Sequence, residues 1–427
     1  MHAGALRLSA LFGRQRAAEV SGYVVALGLV LVLGGCTAVR PINAPPEDVY
    51  SQARTIPDIE GVRYWGDEVP AWITGEGREE QLERRAQDIR ELGADDIAAG
   101  RPIEINYLAL SGGGEDGAFG AGILNGWTEA GTRPEFDAVT GISTGSLIAP
   151  FAFLGPDWDD ELAKVYTHIS EEDIFILRPW QVLFGGISLA STAPLRATVE
   201  KYATPEMLEQ IAAEHRRGRR LLIGTANIDA GRPVVWDIGV LANSGHPDAL
   251  GLFHDILVAS ASIPGVFPPV TFDVDVDGTS YIEAHVDGGI GNQVFAYPPS
   301  FSFDTVDERV GYPIHRTLYV LRNSKLNAPY EEVQPSVIKI SARTISVLIK
   351  QQGKGDVFRI YALTQRDGID FRLMYLPDDF KLVAERPFDR EYMEKLYDFG
   401  YNAARSGVIW LEEPPGTLSA FQTQVSQ

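Results

Sequence analysis

The chain has 427 residues, of which 45% are hydrophobic and 22% are charged, as is ordinary for a globular protein with a substantial core. Its formal net charge of −21 repels nucleic acid and anionic lipid at long range. We therefore exclude nucleic acid as a partner and expect any membrane contact to need an anchor or a local apolar or basic patch.

The first 35 residues have the pattern of a bacterial signal peptide. Three arginines precede the apolar run Tyr23–Leu33, which is shorter than the ~20 residues that a membrane-spanning helix needs. The run leads into Leu33-Gly34-Gly35-Cys36, which resembles a lipobox, where the cysteine is lipidated and becomes the mature N-terminus. Cys36 is the only cysteine and cannot form an internal disulfide. The alternatives are an uncleaved apolar anchor and a buried strand.

Lipidation of Cys36 has a consequence for localisation. Thr37 follows the cysteine, and by resemblance to lipoprotein sorting in Gram-negative bacteria a residue other than Asp there favours the outer membrane. We therefore expect a protein of the bacterial cell envelope, anchored by lipid and facing the periplasm. Two or three acyl chains hold a protein firmly, because each buried CH₂ contributes about 0.8 kcal/mol.

The rest of the chain divides into three segments. Residues 36–100 are predicted to form a tether and a packing helix, residues 101–410 the main domain, and residues 411–427 a tail. The packing helix is predicted at Arg78–Leu92, because three apolar residues fall at helical spacing and Gly93 is a plausible stop.

Strands and helices alternate from Glu104 onward. Strands are predicted at Ile105–Leu110, Phe136–Thr140, Arg220–Ala226, Pro233–Asp237, Tyr281–Val286 and Thr317–Arg322. Helices are predicted at about Gly117–Ala130, after Ser143, and at Pro194–Lys201, Pro205–His215, Phe253–Ser262, Val337–Gln351 and Asp389–Ala404. The alternation predicts an α/β fold with a mostly parallel central sheet and helices on both faces.

A candidate nucleophile lies at the second predicted strand–helix junction. Gly141-Ile142-Ser143-Thr144-Gly145 is a G-x-S-x-G motif, in which a serine on a sharp, strained turn presents its hydroxyl between small neighbours. The following helix directs its N-terminal N–H groups and positive dipole at the site. The bare motif is weak evidence, because 43 of the residues are glycine, and its position between strand and helix gives it weight.

Two further motifs end predicted strands. Gly112-Gly113-Gly114 offers bare backbone N–H groups that can converge on one point, as an oxyanion hole requires. A flexible loop, a phosphate cradle and a dinucleotide site using Gly117 are the alternatives. Asp287-Gly288-Gly289 follows Tyr281–Val286, and a carboxylate there can act as general base on a serine hydroxyl. Alone, this motif is only a turn.

Together the three motifs resemble the patatin-like phospholipases, in which a glycine loop, G-x-S-x-G about thirty residues on, and D-G-[GA] follow in this order. Ala259–Pro269 also looks like the segment before the family's aspartate. The resemblance covers roughly residues 105–293. It implies a three-layer α/β/α patatin-like fold, Ser143 as nucleophile, Asp287 as base and the amides of Gly112–Gly114 as oxyanion donors, with no metal and no cofactor.

The resemblance implies a lipid acyl hydrolase, of phospholipase A or lysophospholipase type, that forms an acyl-enzyme. One departure concerns the substrate: the family loop usually carries a basic residue where this chain has Asp116. The alternatives are a short-chain esterase or thioesterase of the same fold and a non-catalytic surface lipoprotein. A mechanistic alternative is a triad of Ser143, Asp255 and His285, although a structural role for His285 is favoured.

Three other segments have two interpretations each. The basic cluster Arg216–Arg220 either contacts anionic headgroups or, as favoured, is the solvated end of a helix and the start of a strand. Trp180–Gly186 is either an apolar lip that meets lipid or part of the core. Val337–Leu348 is interpreted as a buried helix in preference to a membrane-seeking one. Residues 330–427 complete the core and the rim of the site, with no assigned chemistry.

Overall fold

The computed structural model describes residues 43–55, 59–75, 77–178, 188–407 and 410–417. The predicted signal peptide, the lipidation site Cys36 and the apolar lip at Trp180–Gly186 lie outside these residues.

The described part of the chain contains eleven strands. They are β1 Arg63–Trp65, β2 Ile103–Leu110, β3 Ala138–Ile142, β4 Ile176–Leu177, β5 Ala190–Ser191, β6 Arg220–Asn227, β7 Arg232–Asp237, β8 Val270–Val276, β9 Thr279–Asp287, β10 Ile314–Arg322 and β11 Asp370–Tyr375. Five of them run parallel in the order β11-β10-β2-β3-β6. This centre confirms the predicted mostly parallel sheet.

Antiparallel strands extend the sheet beyond β6. Strand β7 pairs with β6 and then with β1, while β9 pairs with the end of β6 and with β8. Strands β4 and β5 form a separate antiparallel pair. The β8–β9 hairpin turns at Asp277 and Gly278, which have φ angles of 50° and 82°. This Asp-Gly turn is a strong hairpin signal, yet the sequence analysis missed β8.

Fourteen α-helices occur in the described residues. They are α1 Ala71–Thr74, α2 Arg78–Leu92, α3 Ala94–Ala98, α4 Gly117–Glu129, α5 Thr144–Leu154, α6 Asp159–Thr167, α7 Glu171–Ile174, α8 Ala193–Tyr202, α9 Pro205–Arg216, α10 Ile238–Asn243, α11 Ala249–Ser260, α12 Asp304–Val310, α13 Val337–Asp367 and α14 Arg390–Arg405. The predicted bounds of the packing helix, α2, are confirmed.

Side chains that alternate along β2 show that the sheet is covered on both faces. Leu108 and Leu110 pack into the core that contains α4, α5 and α14. Ala109 belongs to the core beneath α13, and Ile103 and Ile105 pack against α2 and α12. Because successive strand residues point to opposite faces, these contacts make the fold three-layered, as predicted.

Helix α13 differs from its prediction in length and in burial. It runs sixteen residues past the predicted end at Gln351, and its glycine at 353 packs against the Arg322 guanidinium. The interpretation of Val337–Leu348 as buried is wrong. Val337 is 82% exposed and Leu348 63% exposed, because core contacts of this helix begin only at Gly353.

Helices α4 and α14 approach so closely that glycine is required where they touch. A Cβ atom at Gly126 would overlap the Tyr401 carbonyl oxygen, and neither backbone can move without shifting its helix. We therefore expect Gly126→Ala to lower the free energy of unfolding by about 1–3 kcal/mol, as overpacking does. Chemical denaturation monitored by circular dichroism measures this change.

The matched control is Gly251→Ala in α11, where no atom lies within 4 Å of the added methyl group. Alanine favours the helix by up to about 1 kcal/mol over glycine, so this variant should be as stable as the wild type or more so. Equal losses in both variants would contradict close packing as the cause.

Candidate active site

The serine motif forms a sharp turn between β3 and α5. Ser143 has φ 55° and ψ −128°, a conformation that is strained for a residue with a side chain. A Cβ atom at Gly145 would lie only 2.5 Å from the Leu110 carbonyl oxygen of the neighbouring strand. Glycine at position 145, two residues after the serine, is therefore required by the packing of α5 against the end of β2.

The structure brings Ser143 and Asp287 together. The Ser143 hydroxyl lies beside the Asp287 carboxylate, close enough to stabilise its charged form, and both residues are less than a tenth exposed. Asp287 is the last residue of β9, and its Oδ1 accepts the Gly289 N–H at 2.7 Å. Burial raises the pKa of Asp287 to about 6, and the Ser143 hydroxyl and the Gly289 N–H oppose this shift.

Two serines that the sequence analysis did not single out position this pair. Ser260 Oγ accepts the Ser143 N–H at 3.0 Å and donates to the Gly224 carbonyl oxygen at 2.7 Å. The Ser262 carbonyl oxygen accepts the Asp287 N–H at 2.9 Å. Both serines belong to the Ala259–Pro269 segment noted for its resemblance, which was the available signal for their role.

The glycine loop lies beside Ser143, but its three N–H groups are not equivalent. The Gly112 N–H donates to the Gln293 carbonyl oxygen at 3.0 Å, so this group is occupied and the prediction for Gly112 as a donor needs correction. No hydrogen bond within the described residues occupies the N–H groups of Gly113 and Gly114. These two groups are the ones left for an oxyanion.

Gln293 is a further residue that the sequence analysis missed. Its backbone N–H donates to Asp356 Oδ2 at 2.6 Å, and its side-chain Nε2 donates to the Gly289 carbonyl oxygen at 2.8 Å. Together with its bond to Gly112, these contacts tie the glycine loop to the turn after Asp287. No sequence motif marked it, because its role depends on loops that are distant in the chain.

Residues 108–298 match the family model described as patatin-like phospholipase. These residues form a patatin-like phospholipase domain. VipD from Legionella pneumophila is a similar solved structure, with 12% identity and a TM-score of 0.30 over 72% of this chain and 67% of that chain. A TM-score this low supports no conclusion about function. A search of curated protein sequences found no match.

The patatin-like domain has an apolar cavity of about 60 Å³ next to the serine turn. Thr144, Leu147 and Phe151 of α5 line one side, and Tyr166 and Leu257 lie opposite. The Tyr166 hydroxyl is 2.6 Å from Thr144 Oγ1, which leaves little unpaired polar surface in the cavity. Thr144, the residue after Ser143, brings this apolar cavity next to the serine.

A larger cavity, of about 720 Å³, lies between α2 and the sheet. It reaches the second half of β2 and the first residues of β3 and β6, whereas Ser143 lies beyond the carboxyl end of β3. Its lining includes Arg85, Asp88 and Arg220, so it is a mixed polar cavity remote from the serine.

Asp116 of the patatin-like domain is surrounded by cations from other elements. It is half-buried and accepts a hydrogen bond from the Tyr392 hydroxyl at 2.7 Å. Burial raises its pKa, while Tyr392 and the positive charges of Lys350, Lys325 and Arg322 oppose this shift. Arg322 is only 1% exposed, and its Nε and Nη1 have no hydrogen-bond partner. Cations therefore lie near Asp116 although the loop itself has none: Arg322 at the end of β10, Lys325 after it and Lys350 on α13.

The alternative triad is not assembled. His285 is fully buried, and its Nδ1 lies 2.9 Å from Thr225 Oγ1 while Nε2 lies 3.1 Å from Glu283 Oε2. Both ring nitrogens are therefore occupied away from Ser143. Asp255 forms an ion pair with Arg196 instead. The structural interpretation of His285 agrees with these contacts.

The residues of the basic cluster Arg216–Arg220 form contacts within the fold. Helix α9 ends at Arg216 and β6 begins at Arg220, as the favoured interpretation predicted. Arg217 pairs with Glu135 and Glu214, and the buried Arg219 donates to the Phe136 carbonyl oxygen at 2.8 Å. Among the described residues, there is no cluster of three or more potential metal ligands and no helix suited to crossing a membrane.

The buried carboxylate gives a test that needs no substrate. Asp287 has a pKa of about 6 in the folded protein against 3.8 for the free side chain, so the folded state loses stability as the pH rises through this window. We expect Asp287→Asn to be more stable than the wild type by roughly 1–3 kcal/mol above pH 6. The gain should vanish below about pH 4, where the wild-type carboxyl is protonated.

Thermal or urea unfolding between pH 4 and pH 8 measures this difference, with Asp160→Asn on the exposed face of α6 as control. A stability gain that does not depend on pH would mean that the buried charge is not its cause.

Proposed function

We propose that this protein is a serine lipid acyl hydrolase that uses Ser143 and Asp287 as a catalytic dyad. The observation that carries the proposal is the position of the Ser143 hydroxyl, on its strained turn, beside a buried carboxylate whose pKa is raised. A raised pKa makes the carboxylate a better proton acceptor near neutral pH. The patatin-like phospholipase domain supports a lipid ester as the substrate class.

The proposed reaction has two halves. Ser143 Oγ attacks the ester carbonyl carbon while its proton passes to Asp287, and the resulting oxyanion accepts hydrogen bonds from the N–H groups of Gly113 and Gly114. The tetrahedral intermediate expels the alcohol, which takes the proton from Asp287. Water then attacks the acyl-enzyme, Asp287 accepts its proton, and the proton returns to Ser143 as the carboxylic acid leaves.

The apolar cavity beside Thr144 is the proposed acyl site. It lies at the start of the helix that Ser143 caps, and its lining is almost wholly hydrocarbon. A short-chain esterase of the same fold is the second candidate, because a cavity of about 60 Å³ within the described residues is small for a long acyl chain.

We also propose that Cys36 is lipidated and anchors the protein in the bacterial outer membrane, facing the periplasm. The support is the lipobox-like sequence Leu33–Cys36 after a short apolar run. An anchor would offset the repulsion that a net charge of −21 produces near anionic lipid.

The dyad predicts a specific pattern of activity on an ester substrate. Ser143→Ala and Asp287→Asn should each lower kcat/KM by at least about 10³-fold, because the nucleophile and its base act as a unit. In the wild type, kcat/KM should fall as the pH drops below about 6, since Asp287 must be deprotonated to accept a proton. Steady-state kinetics from pH 4 to pH 9 measures both effects.

The control is His285→Gln, which retains a polar group between Thr225 and Glu283. It should keep most of the activity and the same pH dependence. If Ser143→Ala remained active, or if a fluorophosphonate probe did not label Ser143, the dyad would be excluded.

The cations around Asp116 predict a preference among substrates. Lys350 is half-buried and its Nζ contacts the Ser324 hydroxyl. Burial lowers the pKa of Lys350, and the charge of Asp116 opposes this shift while Arg322 and Lys325 add to it. We expect Lys350→Gln to lower kcat/KM for a phospholipid several-fold while changing that for a neutral ester by less than about twofold, because only the phospholipid carries a phosphate.

The matched control is Lys354→Gln, one turn further along α13, where Nζ contacts Asn327 Oδ1 and not the residues around the loop. It should leave both substrates unaffected. Equal losses for phospholipid and neutral ester in Lys350→Gln would favour the esterase candidate.

A further inference from the structure

The first third of α13 exposes a row of large apolar side chains. Val337 is 82% exposed, Ile340 51%, Ile345 57% and Leu348 63%. No described side chain from Val337 to Leu348 is buried, and core packing starts at Gly353. A contiguous exposed apolar row of this kind indicates an interaction surface, because exposed hydrocarbon is costly in water.

The same stretch is basic in an otherwise acidic protein. Lys339, Arg343, Lys350 and Lys354 are the only ionisable residues between Gln334 and Gly355. The first acidic residue after them is Asp356, whereas the whole chain has a net charge of −21. Arg343 pairs with Glu331 of the preceding loop, and the other three cations have neutral hydrogen-bond partners.

The position of this helix connects it with the serine site. The side chain of Gln352 donates to the Gly291 carbonyl oxygen at 2.8 Å, just after the turn that follows Asp287. Lys350 contacts Ser324 in the loop after β10, and that loop borders Gly113. The middle of α13 therefore lies on the edge of the sheet that carries the site, and its first third continues outward from there.

We propose that the exposed face of Val337–Leu348 is a docking surface for an anionic lipid membrane. The positive charge of this stretch distinguishes the two candidate partners, a second copy of the chain and an anionic bilayer. A second copy of this chain that met it through the same face would bring the basic stretch against its own like charges. An anionic bilayer matches both features, since apolar side chains enter the acyl boundary while Lys339 and Arg343 contact the headgroups.

Docking through this face would place the edge that carries Ser143 next to the lipid. A helix rises about 1.5 Å per residue, so Val337 lies roughly 20 Å along α13 from Lys350. The membrane contact would thus begin beside the loop after β10 and extend away from the core. This surface acts independently of the proposed lipid at Cys36, which by itself fixes no orientation.

The test uses a fluorophore that reports local insertion, so that any contribution of the N-terminal segment does not interfere. In the full chain, Cys36→Ser removes the only cysteine and Ser143→Ala prevents hydrolysis of the vesicles. Ile345→Cys then carries an environment-sensitive dye. We expect its emission to shift to the blue when vesicles of phosphatidylcholine with phosphatidylglycerol are added, and the shift to weaken at high salt.

The matched control is Thr132→Cys in the same background. Thr132 is exposed and precedes β3, so it lies at the opposite edge of the sheet and should show no shift. No shift at residue 345, or an equal shift at both residues, would overturn the proposal. An equal response to pure phosphatidylcholine would overturn its electrostatic part. A shift without vesicles that grows with protein concentration would indicate a second copy instead.

Kinetics separates this proposal from the proposed function. Replacing Ile345 and Leu348 together by Ser should lower the rate on phosphatidylglycerol vesicles about tenfold and leave a soluble short-chain ester unaffected. Both residues are exposed, so the fold should tolerate the change. If neither substrate were hydrolysed by the wild type, the proposed function would fail while the fluorescence result would still decide the docking surface.

Discussion

The contact between the Ser143 hydroxyl and the buried Asp287 carboxylate is the constraint on which the rest of the site depends. A buried carboxylate without a neighbouring cation is unfavourable in its charged form, and this raises the pKa of Asp287 to about 6. The fold maintains it with backbone groups, since Gly289 donates to Asp287 and the end of β9 is fixed between β6 and β8. In the proposed reaction, the raised pKa makes Asp287 a better acceptor for the Ser143 proton near neutral pH.

The strained turn at Ser143 is maintained in a similar way. Its N–H is held by Ser260, which is itself bonded to Gly224 of β6, and α5 packs directly against the end of β2. Three neighbouring parallel strands thus fix the turn from both sides. A serine keeps a positive φ only where contacts with neighbouring elements, such as these, fix its backbone conformation.

Charge is distributed unevenly over the molecule. The body is strongly acidic, yet cations collect at the carboxyl edge of the sheet, around Asp116 and along the first half of α13. Arg322, Lys325 and Lys350 approach Asp116 in the glycine loop from elements distant in sequence. Cations next to an exposed apolar surface suit a substrate that lies in a membrane.

The sequence by itself determined the α/β fold, the order of the central elements, and the turn that bears Ser143, because periodicity and glycine spacing are local properties. It also indicated Asp287, through resemblance. Only the tertiary structure decided which loop amides are free, since the Gly112 N–H is occupied by Gln293, far along the chain. The same holds for the exposed face of α13 and for the cations near Asp116. An apolar helix has the same pattern whether a core or solvent faces it, so burial depends on contacts that the sequence alone does not specify.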